Sequence, residues 1–479
     1  MPARRTKILA TLGPASDSPE MLARLVDAGM DAVRVNFSHG EAKHHAEVVA
    51  RVRAVAQAKK RAIPIVQDIQ GPKIRVGKLP GGPIKLAAGD RVTLTAAEEA
   101  PGPGVIPITY EWLAKDVKPG GQILLDDGYL EMKVEACEGE KVHATVVTGG
   151  LLKPSKGVNF PGARLSIKFP TEKDKVDLRV GQDLGVDWVA ASFVRSAADV
   201  ARVRADLDDA HGTRVIAKIE LHEAVENLDE IVRSADAVMI ARGDLGVEFP
   251  PEEVPGIQRR ILQMGDTLGV PVITATQMLE SMIEQPRPTR AEVTDVYNAI
   301  LGGSGAVMLS GETAVGKHPV EAVSVMARVA RRAEETFFSE PELHARWRAV
   351  ARPTAEDAVA HATVRAAEDA GAKAIVVLTE SGRTAILVAK YRPKTRVLAA
   401  TPSSITERQL ALVWGVETLH LPHAETQEKL FRSADDALLA AGLAKGDTIV
   451  VTSGRLGASG STSSLRVAKV GKLAQAAGA

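Results

Sequence analysis

The run Arg214-Val-Ile-Ala-Lys-Ile-Glu220 reads as a buried β-strand with an ammonium and a carboxylate two residues apart at its C-terminal end, and Ala237–Ala241 reads as the next strand, with Asp244 just beyond it. Residues i and i+2 of a strand share a face, so Lys218 and Glu220 point the same way. Working outward, similar apolar runs lie at Lys7–Leu12, Ala32–Phe37, Ile63–Ile69, Trp188–Val194, Val270–Thr276 and Gly305–Leu309, nearly all followed by an amphipathic helical pattern. Alternating β and α units imply a parallel sheet, and eight of them fit a closed (β/α)8 TIM barrel better than an open sheet. Helix starts are visible at Ser18-Pro19-Glu20 and Thr289-Arg290-Ala291-Glu292, where a hydroxyl precedes an early glutamate.

More than a hundred residues separate Ile69 from Trp188, which breaks the spacing. Residues 72–162 are rich in Gly and Pro and carry short alternating runs at Arg91–Thr95, Gln122–Asp127, Tyr129–Val134 and His143–Val147. This predicts a small all-β lid domain inserted in a βα loop, on the face where barrel loops carry function. Glu172–Leu184 reads as the delayed third helix. After a long helical stretch from Val320 to about Arg348, a third region alternates helix and strand, as an open α/β domain does. The expected division is a barrel over 1–70 and 167–345, a β lid over 71–166 and a C-terminal α/β domain over 346–479.

Of the 479 residues, 45% are hydrophobic and 25% charged, with Lys+Arg and Asp+Glu both at 60. This balance gives no general case for nucleic acid or an anionic membrane as partner, so any anion site must be local. One cysteine excludes an intrachain disulfide framework and fits a reducing cytoplasm. The N-terminus lacks an apolar signal core and no window resembles a membrane span, so the expected location is cytoplasmic.

Barrel active sites lie at the C-terminal strand ends. Here those ends carry Asn36, Ser38, Asp68, Lys218, Glu220, Asp244, Thr276, Ser310 and Glu312. Any one of them is as easily a helix cap or an ordinary ion pair. Their concentration on one mouth favours a site. A cation beside carboxylates that can hold a metal suits phosphorylated or enolate-forming substrates. Arg34, Asn36 and Ser38 share a strand face that could take a phosphoryl oxygen or a monovalent cation, and Gly243-Asp244-Leu245-Gly246 is either a turn or a place where backbone N–H groups meet a carboxylate.

Six runs together carry a family resemblance: Thr6–Ser16, Arg34–Gly40, Ala217–Glu220, Met239–Gly246, Ala275–Met282 and Met308–Ala314. In this order, with an inserted β domain and a C-terminal α/β domain, the chain resembles the pyruvate kinases over essentially its whole length. The resemblance implies transfer of the phosphoryl group of phosphoenolpyruvate to ADP, giving pyruvate and ATP at the last step of glycolysis, in an allosteric homotetramer. It implies that Glu220 and Asp244 hold Mg²⁺ (Mn²⁺ in its place), bridging substrate and phosphoryl oxygens, and that Lys218 offsets charge on the transferring group. Arg34 and Arg75 would contact phosphates, and Ala241, Gly243 and Asp244 would receive the substrate carboxylate. Thr276 would help protonate C3 of the enolate, with Ser310 and Glu312 as relay. Asn36, His39, Arg75, Asp127 and Lys156 would serve the nucleotide.

Asp68-Ile-Gln-Gly-Pro-Lys-Ile-Arg75 departs from the family's usual Asp-Thr-Lys-Gly-Pro-Glu-Ile-Arg. Ile69 lacks the hydroxyl of a K⁺ ligand and Lys73 replaces a glutamate, as in the K⁺-independent branch. A tethered ammonium would then stand in for K⁺ beside Asn36, Ser38 and Asp68. In the C-terminal region, Thr379, Ser381, Gly382, Arg383 and Thr384 join a strand to a helix and could cradle the phosphate of an effector, with Gly457–Ser463 closing over it; ordinary turn chemistry explains both stretches equally well. Two other functions remain to be weighed: a metal-dependent aldolase or lyase, which would need no lid or nucleotide site, and a catalytically silent metabolite sensor, against which the set Lys218, Glu220, Asp244 and Thr276 argues.

Overall fold

Eight parallel strands close into a barrel: β1 (Lys7–Thr11), β2 (Ala32–Asn36), β3 (Ile65–Asp68), β4 (Trp188–Ala191), β5 (Arg214–Ile219), β6 (Ala237–Ala241), β7 (Val272–Ala275) and β8 (Ala306–Leu309). The computed structural model describes residues 4–102, 104–340, 342–343, 354–454 and 464–474. Each strand lies beside its sequence neighbours, and β8 closes on β1 with Ala306 opposite Lys7. The long insertion does not disturb this order, because β3 still pairs with β4, Val66 opposite Trp188. Every residue of β1, β3, β4, β6, β7 and β8 is buried, which is why these strands read as continuous apolar runs rather than alternating ones.

The inward face of the barrel includes Ala32, Val66, Ala190, Ile216 and Met308. Two residues further along each chain, on the same face, come Arg34, Asp68, Ser192, Lys218 and Ser310. The period of the strand therefore carries a packed apolar interior directly into a polar mouth. The outward residues pack against the surrounding helices. Those helices start as expected: Ser18 accepts from Met21 N, and Thr289 forms a capping box with Glu292. A third box, Thr171 with Asp174, begins the helix Glu172–Asp183 where the chain returns from the lid.

The lid is a six-stranded sheet in the order Val158–Asn159, Gln122–Leu125, Leu130–Glu138, Lys141–Thr148, Arg91–Ala96, Val105–Ile108, with a two-stranded ribbon of Gly150–Leu152 and Ile84–Leu86. The strands Ile84–Leu86, Val105–Ile108, Gly150–Leu152 and Val158–Asn159 lie outside the expected runs; all are too short to show a period. The lid has its own core, with Leu94, Ile106, Ile123 and Met132 fully buried. Arg195, in the loop after β4, holds its return segment by donating to Leu165 O (3.1 Å) and Ile167 O (3.2 Å).

The C-terminal sheet runs Val416–His420, Arg396–Thr401, Ala374–Leu378, Thr448–Ser453, Ser464–Lys469, parallel except for its last strand. The long helix expected from Val320 to about Arg348 spans Pro319–Ser339 and stops there, with Glu340 extended. The boundary expected at 345/346 and the stretch Gly457–Ser463 lie outside the described residues. This sheet's domain is seated on the barrel floor, where Leu412 joins the interior cluster beside Trp188. No helix among the described residues is long and apolar enough to cross a membrane.

Asp187, which is fully buried, ties the barrel to the C-terminal domain. Its carboxylate accepts from Ile65 N (2.8 Å), Arg53 Nη2 (2.9 Å) and Arg408 Nε (2.6 Å). Gln409 donates to the same residue's carbonyl at 3.1 Å. Removing one partner of a buried ion pair strands the others, so Asp187→Ala should cost about 3–5 kcal/mol. Urea unfolding measures this; a loss below about 1 kcal/mol would place the tie elsewhere.

Candidate active site

Asp68 stands at the centre of the mouth, 2% exposed, at the end of β3. Its Oδ2 accepts from Arg34 Nε at 2.6 Å; its Oδ1 lies 3.3 Å from Lys218 Nζ and accepts from Ser192 Oγ at 3.2 Å. Burial works against this carboxylate's charge, but the Arg34 and Lys218 cations outweigh it and hold its pKa below the usual value. Arg34 is steadied on the far side by Thr11 Oγ1 (3.3 Å).

Lys218 Nζ donates to Ser192 Oγ at 2.7 Å and lies 2.9 Å from Glu220 Oε1. Burial opposes its charge, yet Asp68 and Glu220 raise its pKa overall, so this ammonium is a fixed cation. Glu220 is fully buried and accepts from Phe193 N at 2.6 Å through Oε2. Its Oε1 faces the Lys218 ammonium at 2.9 Å. Burial raises the Glu220 pKa, Lys218 pulls it back and the charge of Asp244 pushes it up again. Within the pair, Glu220 is therefore the member whose ionisation is costly.

That arrangement fits a divalent cation. Glu220 is buried and feels the repulsion of a second carboxylate, Asp244; a cation between the two would relieve it. No cluster of three or more His, Cys, Asp or Glu side chains suited to a metal exists among the described residues. Two carboxylates fit Mg²⁺, which takes its remaining oxygens from substrate and water.

Arg242, Gly243 and Asp244 open the short helix Arg242–Glu248 directly after β6, whose last residue Ala241 is buried. Gly243 N donates to Thr276 Oγ1 at 2.7 Å. Thr276 follows β7 with φ +64° and Gln277 has φ +52°. A β-branched residue at positive φ is an outlier costing about 1–3 kcal/mol, and strain of this kind gathers at functional sites. After β8, Glu312 is buried, accepts from Leu279 N (3.0 Å) and Ser310 N (2.7 Å), and has its pKa raised by burial. Ser310 Oγ is buried with no partner among the described residues.

On the rim, Asn36 Oδ1 accepts from Ser38 N (3.1 Å) and His39 is exposed. In the lid, Arg75 Nη1 donates to Ser155 O (2.8 Å), and Lys156 is paired with Asp126 at 2.7 Å. Asp126 and Asp127 both have positive φ, 52° and 54°. Asp127, Lys73, Gly157 and Asn159 of the lid side line one cleft with Asp244 and Glu248 of the barrel, and Asn159 Nδ2 reaches Glu248 Oε1 at 3.5 Å.

The expected residues thus separate into groups. Arg34, Asp68, Lys218 and Glu220 form one network; Gly243 meets Thr276; Ser310 meets Glu312. Lys73 makes no hydrogen bond or ion pair with Asn36, Ser38 or Asp68 among the described residues; its exposed side chain lines the lid cleft, where a Cβ added to Gly157 would sit 4.0 Å from both Lys73 Cε and Asp127 Oδ1. In the C-terminal domain, Thr379 Oγ1 accepts from Gly382 N (2.9 Å) and Gly382, with φ +80°, caps the helix Arg383–Lys390. Ser381 O accepts from Arg214, Thr384 is buried and Arg383 is exposed. Sequence reading missed Ser192 and Arg242. Ser192 had a signal, since it continues the inward face of β4 exactly two residues after Ala190; Arg242 had none, because its role comes from contacts with a different loop.

Two family models match the chain: pyruvate kinase, barrel domain, over residues 3–323, and pyruvate kinase, alpha/beta domain, over 357–468. Pyruvate kinase 2 of Synechocystis sp. is 46% identical over 471 residues, covering 97% of this chain and 79% of the relative. The pyruvate kinase of Geobacillus stearothermophilus is 45% identical over 470 residues, covering 97% and 80%. That of Mycobacterium intracellulare is 44% identical over 474 residues, covering 98% and 99%. The chain belongs to the pyruvate kinase family.

Proposed function

We propose that this phosphotransferase moves the phosphoryl group of phosphoenolpyruvate to ADP, giving pyruvate and ATP. The observation that carries the reading is the buried Lys218 ammonium, fixed between Asp68, Ser192 and Glu220 at the barrel mouth. Phosphoryl transfer needs positioned cations and no covalent nucleophile. A terminal oxygen of the ADP β-phosphate bonds to phosphorus as the P–O bond to the enol oxygen breaks, and the electron pair stays on that oxygen. Lys218 and Arg34 offset the charge on the moving group. Gly243, Asp244 and Ala241 supply the backbone that receives the substrate carboxylate. The enolate then takes a proton at C3 as its C=O bond forms. Thr276 would deliver that proton, with Ser310 and Glu312 as the relay.

Glu220 and Asp244 would hold Mg²⁺, or Mn²⁺ in its place. Bound there, the ion supplies Lewis-acid stabilisation of substrate oxygens. Arg75, Asn36, His39, Asp127 and Lys156 would serve the nucleotide, and closure of the lid over 71–166 would exclude water from the barrel of 1–70 and 167–345. A requirement for K⁺ is not expected. Ile69 is fully buried and offers no ligand oxygen from its side chain, Asp68 already faces Arg34 and Lys218, and Lys73 adds a positive charge in the lid cleft.

Thr379, Ser381, Gly382, Arg383 and Thr384 are proposed to bind the phosphate of an allosteric effector in the C-terminal domain of 346–479. A cleft of about 920 Å³ between this domain and the barrel floor takes in Ser381 and Arg383, which supports a ligand there. A homotetramer in the cytoplasm, without nucleic acid or membrane as partner, completes the reading.

Lys218→Met should lower ATP formation from phosphoenolpyruvate and ADP by at least about a hundredfold with an unchanged circular dichroism spectrum. Absence of ATP formation by the unaltered protein would remove the function; survival of activity in the variant would remove the role of Lys218. Initial rates with Mg²⁺ should stay level when a tetraalkylammonium salt is replaced by KCl. A rise of about tenfold would show that a bound K⁺ is needed after all.

A further inference from the structure

We infer that Arg242 is a positioning residue: its guanidinium clamps the left-handed pair Thr276-Gln277 and so sets the Thr276 hydroxyl where the enolate is to be protonated. The inference rests on the proposed role of Thr276 and adds to it the residue through which that role is maintained.

Arg242 is buried at the start of the helix that carries Asp244. Its Nε and Nη2 donate to Thr276 O at 3.1 and 2.6 Å, and Nη2 also reaches Gln277 O at 2.9 Å. Nη1 is anchored on Asp295 Oδ2 at 2.5 Å, in the helix Arg290–Gly302. One planar group therefore ties three elements together: the Asp244 helix, the β7 loop and the helix after it. A fork of donors in fixed directions suits this task, and a lysine ammonium does not reproduce it.

The clamp is needed because of the backbone it holds. Thr276 and Gln277 both have positive φ, and neither is glycine. Left alone, the pair would relax to negative φ, which reorients both carbonyls and the Thr276 side chain. With the carbonyls held, Thr276 Oγ1 stays on Gly243 N at 2.7 Å and on Ala275 O at 2.7 Å. The hydroxyl is then poised between the backbone proposed to receive the substrate carboxylate and the end of β7. Arg242 is buried and spends its donors on Thr276 O, Gln277 O and Asp295, so it acts through Thr276.

The test separates phosphoryl transfer from protonation. Phosphoenolpyruvate labelled stereospecifically with deuterium at C3 is turned over in tritiated water by the full-length protein, ATP is measured by rapid quench, and the chirality of the pyruvate methyl group is determined. The unaltered protein should protonate one face. In Arg242→Met the selectivity between faces should fall by about tenfold, more than the ATP-forming rate does, because free enolpyruvate is protonated in bulk water. Arg242→Lys should fall between the two, and it serves as the readout if the methionine variant does not fold.

Adding Gln277→Gly should recover at least about threefold of the lost selectivity, since glycine accepts positive φ without a clamp. A protein that merely lost stability would lose both activities in parallel and gain nothing from that glycine. Full face selectivity in Arg242→Met or Arg242→Lys, or no recovery with Gln277→Gly, would overturn the clamp. Thr276→Ala in the same assay tests the underlying reading separately: unaltered selectivity there would remove Thr276, whereas lost selectivity there with a failed clamp would remove Arg242 alone.

Discussion

One buried carboxylate, Asp68, orders the barrel mouth. It touches a cation from β2, a cation from β5 and the hydroxyl that follows β4, so side chains from four strands are fixed relative to one another by two oxygen atoms. The barrel makes this possible. Its interior is so fully packed that the inward-facing residue after each apolar layer has no freedom to avoid its neighbours. Without Asp68, Arg34 and Lys218 would stand as two like charges in a region of low dielectric. With it, both stay charged and aimed at the mouth, where a phosphoryl group would meet them.

The same economy governs the other side of the mouth. Glu220 keeps one oxygen on Phe193 N and turns the other to the Lys218 ammonium, while Asp244 lies in the helix that opens at Arg242, next to Gly243, whose N–H donates to the strained Thr276. The carboxylates proposed to hold the metal and the hydroxyl proposed to deliver the proton are thereby set at the ends of neighbouring strands. The lid reaches this region through Asn159 and Glu248, and the C-terminal domain reaches the opposite end of the same barrel through Asp187. The first ends on the helix Arg242–Glu248 and the second just ahead of β4, and β5 runs from one end of the barrel to the other: Arg214 at its base bonds to Ser381, and Lys218 lies near its top.

Much of this was legible from sequence because strand periodicity is strict. The step of two that joins Ile216 to Lys218 and Lys218 to Glu220 also joins Val66 to Asp68, and each landed on the inward face. The capping residues Ser18 and Thr289 were legible for a similar reason, since a cap is a local bond. What could not be read was contact between distant loops. Nothing in the order of residues says that Asp68 is shared by Arg34 and Lys218, or that Arg242 holds the carbonyls of residues more than thirty positions later. Lys73 illustrates the limit from the other direction: its replacement of a glutamate was evident, but its place in the lid cleft follows from the path of Gly71-Pro72, where the chain leaves the barrel.

Asp68 acts at the mouth as a charge and not merely as a shape. Asp68→Asn keeps the size of the side chain and removes its charge, so the steady-state rate of ATP formation in this variant tests the claim directly. The account predicts a fall in kcat of at least about tenfold with an unaltered circular dichroism spectrum, because Arg34 and Lys218 lose their common counter-charge. A folded Asp68→Asn protein with the unaltered kcat would contradict it.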